Sequence, residues 1–253
     1  THRVISNRLP RDVGDNSTLH LVSHNVNFVV SIDGEEVYAY EHEKNILGAG
    51  YGEVLHTINI NADDSFKEIT IDADIIYPTE TTCGFDEIMI GSGMSFYHYM
   101  LRRHGFAFLV SLLIIVMGFV VLFINAILGK KKLGDYDLVS FSILIIIMGI
   151  WTGIESGIPT MLFGATDFLR IIDYGCLMLV HYPLVMSIIS ITRKKNELYK
   201  RLAFVVPFIY DAIVIFLCVV GGADIHNVFW MVQIGYAVGA ANIFMLLFED
   251  YRY

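Results

Sequence analysis

The chain has 253 residues, 55% of them hydrophobic and 17% charged, with a formal net charge of −9 and a mean hydropathy of +0.58. Soluble domains carry about a quarter charged residues, so a water-soluble globule is excluded as a description of the whole. Nucleic-acid backbones are held by Lys and Arg, so the acidic balance argues against nucleic acid as a partner.

The charge is unevenly placed. Residues 1–100 hold 16 of the 26 acidic and 5 of the 17 basic side chains, whereas residues 101–253 hold 10 acidic and 12 basic. Two domains are expected: a polar one over 1–100 and an apolar one over 101–253. The chain starts at Thr1 with no initiator Met and no charged-then-apolar leader, so a fragment or a processed form is expected.

In chain order, TLHLVS, NFVVSI, EVYAY, VLHTINI, EITIDA and EIMIG are short β-branched or alternating runs between turn residues, the signature of strands. Asp33-Gly34, between VVSI and EEVYAY, suits a tight hairpin whose central residues take positive φ. NADDS and PTETTCG punctuate the later strands. The expected fold is an antiparallel β-sandwich of jelly-roll type. GAGYGEVLH (48–56) lacks the Lys-Ser/Thr of a P-loop and the setting of a dinucleotide turn. It reads as an irregular loop presenting Tyr51 and His56, which Tyr38, Tyr40 and Tyr77 can join as a stacking surface for a sugar-like or peptide ligand. The commoner role of such residues is to cover a strand face.

After Met100 come five apolar runs, about 105–128, 138–155, 168–191, 202–221 and 228–248. Each approaches the ~20 residues a helix needs to cross a bilayer, and lipid leaves the backbone no alternative but helices or closed barrels. Lys130, Lys131 and Lys132 follow the first run, and Arg193, Lys194, Lys195, Lys200 and Arg201 follow the third. The second and fourth connections hold no Lys or Arg. Basic loops stay in the cytoplasm, so residues 1–100 are expected outside and residue 253 inside. Arg102 and Arg103 run against this rule.

Several polar groups fall on the spans. Glu155 sits at the outer end of the second, where water solvates it, one turn after Trp151. Thr166 or Asp167 can cap the third helix, and Arg170 and Asp173 follow at i,i+3. Glu155, Arg170 and Asp173 can therefore form an outer polar cluster. His181 and Asp211 lie deeper, ~15 and ~14 Å from the inner ends of their spans at 1.5 Å per residue. A mid-membrane charge faces a partner or a cavity. Either the two meet as a pair that reads a conformational change, or each bonds backbone or water separately. Asn125, Gln233 and Asn242 read as interhelical glue. Gly235, Gly239 and Ala240 suggest close packing, including against spans outside this chain. Cys83, Cys176 and Cys218 have no metal or redox spacing, and no Ser/His/Asp elbow, HExxH or paired-carboxylate catalytic pattern occurs.

The strand run LHLVSHNVNFVVSIDGEEVYAY, then GAGYGEVLHTINI, then helices with MGIWTGIESG and DYGCLMLVHYPL, resembles the sensor and membrane region of bacterial membrane diguanylate cyclases. These carry an outer jelly-roll domain and a seven-helix bundle. The resemblance covers nearly the whole chain, and the IDGEEVYAY hairpin and WxxxES element carry most of it. It implies that Glu155 is the family's WxxxES glutamate and Pro183 its helix-three proline. It also implies a homodimer in the bacterial cell membrane, with an extracellular small-molecule ligand and a cytoplasmic GGDEF output condensing two GTP into cyclic di-GMP. An aromatic expected near Leu55 is missing, and no GGDEF or GGEEF occurs. The output domain, with its GTP and Mg, and two further helices are thus expected beyond Tyr253, with an anchor or signal segment before Thr1. The chain itself then needs no cofactor.

Two other outputs fit a receptor, a histidine kinase or a phosphatase. Competing classes are a transporter or intramembrane enzyme using Asp173, His181 and Asp211, and an adhesion or carbohydrate-binding module on a passive anchor.

Overall fold

A computed structural model describes residues 2–14, 17–77, 83–128, 138–164, 166–192 and 196–251. Lys130, Lys131, Lys132, Arg193, Lys194, Lys195 and most of the PTETTCG turn lie outside these residues. Seven strands come first: β1 (His2–Arg8), β2 (Ser17–His24), β3 (Val26–Ile32), β4 (Glu35–Tyr40), β5 (Glu53–Ile60), β6 (Glu68–Ile75) and β7 (Gly84–Gly91). Helices follow: α1 (Gly93–Leu128), α2 (Leu138–Glu155), a short α3 (Ile158–Phe163), α4 (Thr166–Ile191), α5 (Glu197–Val219), a short α6 (Ile225–Val228) and α7 (Trp230–Tyr251). Five helical segments are long and apolar enough to cross a membrane.

The chain divides into two compact units. One holds residues 1–45, 49–106 and 156–170; the other holds 46–48, 107–155 and 171–253. The stretches 46–48 and 156–170 therefore each cluster with the half of the chain opposite to the one their sequence position gives them.

In the first unit two antiparallel sheets, ordered β1-β6-β3-β4 and β5-β2-β7, face each other. Alternation drives them together. β3 buries Val26, Phe28, Val30 and Ile32, and β6 buries Ile69, Ile71, Ala73 and Ile75, on one face each. The β3–β4 hairpin turns at Asp33 (φ 49°) and Gly34 (φ 84°), the two positive φ values such a turn demands. β2 is buried on both faces. Its outer face is covered by the first turns of α1, where Phe96 stacks on His20 with ring centroids 4.4 Å apart and Met100 packs beside Val22. β1 was not legible as a strand: HRVISNR has no apolar alternation, and every residue of it is exposed on the sheet edge.

Among the described residues β1 and β7 each pair on one side only. Between them the sandwich is open: Ile5, Leu19, Ile71, Ile88 and Ile90 line a cavity of about 330 Å³.

In the second unit α1 and α2 approach through glycine. A Cβ on Gly149 would lie 3.0 Å from the Ile115 backbone nitrogen, and one on Gly118 would lie 2.5 Å from the Ile146 side chain. Gly149 and Gly153 form the small-xxx-small spacing that lets membrane helices touch. Gly235 and Gly239 repeat that spacing on α7. They pack against Tyr210 of α5 and against His181 and Pro207. Their close contacts are thus with helices of this chain, while Ala240 is exposed.

Candidate functional site

The aromatic residues of the first unit come together, but inside it. Tyr51 is 1% exposed, His56 3% and Tyr77 9%, and Tyr38 and Tyr40 pack partly buried against the same core. The expected stacking surface for a ligand is therefore an interior. The reason lies in the strand faces: alternation on β4 and β5 turns Tyr38, Tyr40 and His56 toward Phe28 of β3.

What these residues build is a chain of hydrogen bonds. Tyr38 Oη lies 2.9 Å from His56 Nδ1, and His56 Nε2 lies 2.8 Å from Ser23 Oγ. Ser23 Oγ meets Tyr51 Oη at 3.2 Å. Tyr51 Oη in turn accepts from the Val26 amide and donates to the Val26 carbonyl. Tyr51 enters from the irregular loop 48–52, its own amide donating to Asn25 Oδ1 at 2.7 Å. Gly50 allows this, because a Cβ there would sit 2.6 Å from the Tyr77 ring. The Ser23–His56 contact resembles half of a nucleophilic pair, yet Ser23 is 0% exposed and no substrate reaches it. Burial drives His56 from 6.5 down to about 4, and it raises Tyr38, Tyr40 and Tyr51. The chain is thus uncharged at neutral pH.

At one end this interior meets a polar rim. Past β4, His42 stacks tilted on Tyr51 at 4.8 Å, and its Nε2 lies 3.5 Å from Asp167 Oδ1. Asn45 Nδ2 donates to the same oxygen at 2.6 Å. Asp167, in the first turn of α4, thus ties the loop after β4 to the start of that helix. Burial lowers His42, the Asp167 carboxylate opposes that shift, and the Arg170 guanidinium adds to it. Arg170 is 7% exposed, in the same unit.

A second group surrounds Glu53 at the start of β5. Its carboxylate fills the space a side chain would take at Gly157, which has φ 70°. Burial raises the Glu53 carboxyl, and His24 and His104 pull it back. His24 itself meets Asp86 at 2.7 Å. On α1, the Arg103 guanidinium and Tyr99 hydroxyl both donate to Glu87. Among the described residues no group of three or more His, Cys, Asp or Glu side chains could hold a metal ion.

In the helical unit Glu155 is the exposed last residue of α2, and Asp173 lies half-buried on α4. His181 and Asp211 do not bond each other. Pro207 has no N–H, so the Ala203 carbonyl loses its helical donor four residues on. His181 Nε2 lies 3.1 Å from that carbonyl and takes the place of the missing donor. Tyr236 stacks on the His181 ring at 4.9 Å. The register of α4 on α5 therefore sets His181 at Ala203, eight residues before Asp211, or ~12 Å along the helix. Asp211 accepts instead from the Tyr182 hydroxyl. Asn242 donates to Val238 of its own helix at 2.8 Å, and Gln233 is exposed, so among the described residues neither bridges two helices.

Sequence reasoning missed three things here. His42 and Asn45 follow a strand with no motif, Glu53 matters through a glycine 104 positions away, and the Pro207–Ala203–His181 arrangement depends on helix register. Only the last left a signal, a proline four residues after the carbonyl it frees.

Compared with family models, with curated proteins and with solved structures, the chain finds no match.

Proposed function

We propose that this chain is the sensory and membrane-embedded part of a bacterial signalling receptor. One observation carries the reading: α1 is a single unbroken helix of 36 residues that belongs to both units. Its first turns complete the sandwich through Phe96 and Met100, and its remainder is the most apolar candidate span. A passive anchor needs no such shared element. A receptor does, because a ligand acts only through different affinity for two arrangements, and a continuous helix can carry that difference out of the sandwich.

The jelly-roll reading is supported by the strand order. Apart from the β3–β4 hairpin, every connection between successive strands passes from one sheet to the other. The five apolar helices support a multi-pass location in the bacterial cell membrane. The Lys and Arg distribution supports the sandwich outside and residue 253 in the cytoplasm. The resemblance to membrane diguanylate cyclases supports a homodimer whose output is a GGDEF domain carried outside these residues. A small extracytoplasmic molecule is the expected input, but the buried Tyr51, His56 and Tyr77 are not its stacking surface.

The test is a fusion of the chain to a diguanylate cyclase catalytic domain in bacterial cells, with cyclic di-GMP as readout. Gly105→Pro breaks α1 where its sandwich-packed turns end. The receptor reading expects output to change at least several-fold while membrane insertion persists; unchanged output leaves the helix a mere tether. Protease added to intact cells should cut within residues 1–92 and spare 130–132, and the reverse pattern inverts the topology.

A further inference from the structure

The short α3 turns two sides to different surroundings. Ile158, Pro159 and Thr160 are buried, and Met161 packs against the cluster of Val22, Phe96 and Met100 in the first unit. Leu162 and Phe163 are left outside, 59% and 72% exposed, and Phe168 in the first turn of α4 is exposed as well. Single exposed apolar residues are ordinary on a protein surface. Here three bulky ones fall within seven residues, and no charged residue lies within 156–166.

Connectivity names what covers them. α3 lies between α2 and α4, both long and apolar enough to cross a membrane. Phe163 precedes Thr166, the first residue of α4, by three positions, so at most ~11 Å of extended chain separates them. Apolar side chains of interfacial segments sit ~5–10 Å into the boundary between head groups and acyl chains. With no Lys or Arg in 156–166, the segment offers nothing to anionic head groups; hydrocarbon is what it fits. We propose that Leu162 and Phe163 insert at the head-group boundary of the bilayer, so that a lipid contact holds α3, and the first unit to which it belongs, at the membrane surface. The proposal rests on the long helices being spans, and it adds a membrane contact made by residues of no span.

The experiment places the full chain in phosphatidylcholine nanodiscs with a nitroxide label at Leu162→Cys, at Phe163→Cys or, in the middle of α5, at Ile213→Cys. Cys83, Cys176 and Cys218 are buried, so the label goes to the introduced thiol. Saturation of the spin signal compares contact with oxygen, which concentrates in lipid, and with a nickel chelate, which stays in water. At 162 and 163 oxygen contact should exceed nickel contact at least several-fold. Phosphatidylglycerol should change that ratio less than about twofold, since no cation of the segment meets it. Nickel contact prevailing at 162 and 163, with oxygen prevailing at 213, overturns the proposal and leaves the spans standing. Nickel prevailing at all three overturns the spans and the proposal together. Shielding of 162 and 163 from both reagents gives the face to a protein partner, and a ratio that rises only with phosphatidylglycerol gives it to the head groups; either result overturns hydrocarbon insertion.

Discussion

His56 holds a neutral imidazole between Tyr38 and Ser23, and unfolding would release it to water where it takes a proton near 6.5. Because its folded value lies below the unfolded one, at about 4, its contribution is full above pH 6.5 and is lost as pH falls toward 4. At ~1.4 kcal/mol per unit the loss approaches about 3 kcal/mol. His20, lowered by the same burial beneath Phe96, adds in the same direction. Hydrogen exchange of β2 and β3 amides in the intact chain should therefore speed up markedly between pH 7 and pH 4.5, after correction for intrinsic rates. His56→Gln should flatten that dependence. Glu53 works the opposite way. Its raised carboxyl favours the folded state only at acid pH, so Glu53→Gln should stabilise the β5 amides near pH 7 and change them little near pH 4. Tyr51 and His56 stood out in the sequence as candidate residues, yet their inward direction did not. A Gly-rich loop reads as surface, and only the packing of Tyr77 over Gly50 reveals that this one dips inside.

At the scale of elements, helix irregularities explain the polar groups that hydropathy alone leaves puzzling. If His181 serves the carbonyl that Pro207 frees, then restoring the helical N–H with Pro207→Ala should make His181 partly redundant. A double-mutant cycle of His181→Leu and Pro207→Ala, read by thermal unfolding in lipid, should show a coupling of about 1 kcal/mol, the worth of one hydrogen bond. Simple additivity would reject the assignment. Gly149→Leu should cost about 1–3 kcal/mol by overpacking and loosen α2 from α1, seen as loss of a disulfide engineered between the two helices. Strands β2 to β7 and all five long helices were readable because each has a strong period of two or a long apolar run. β1 and α3 were not, since an all-exposed edge strand and a six-residue helix between glycines carry no period to find.

At the scale of the whole chain, α1 spans ~54 Å at 1.5 Å per residue, far more than the ~30 Å of a bilayer's hydrocarbon. The run at 105–128 marked its apolar portion, but its first twelve residues, with Arg102, Arg103 and two histidines, concealed that the same helix begins on the sandwich. Composition thus marked a change from polar to apolar near residue 100 and could not tell that segments 46–48 and 156–170 each cluster with the other unit. The open flank between β1 and β7 has its own effect on handling the protein in water. Ile5, Ile88 and Ile90 are each about two-fifths exposed there, next to backbone donors and acceptors that no strand among the described residues uses, which is how sheets glue to one another. Nanodiscs holding one copy each should clump as they are concentrated, by light scattering, and Ile90→Lys should keep them dispersed; wherever the protein is crowded, the same greasy seam would have to be kept covered.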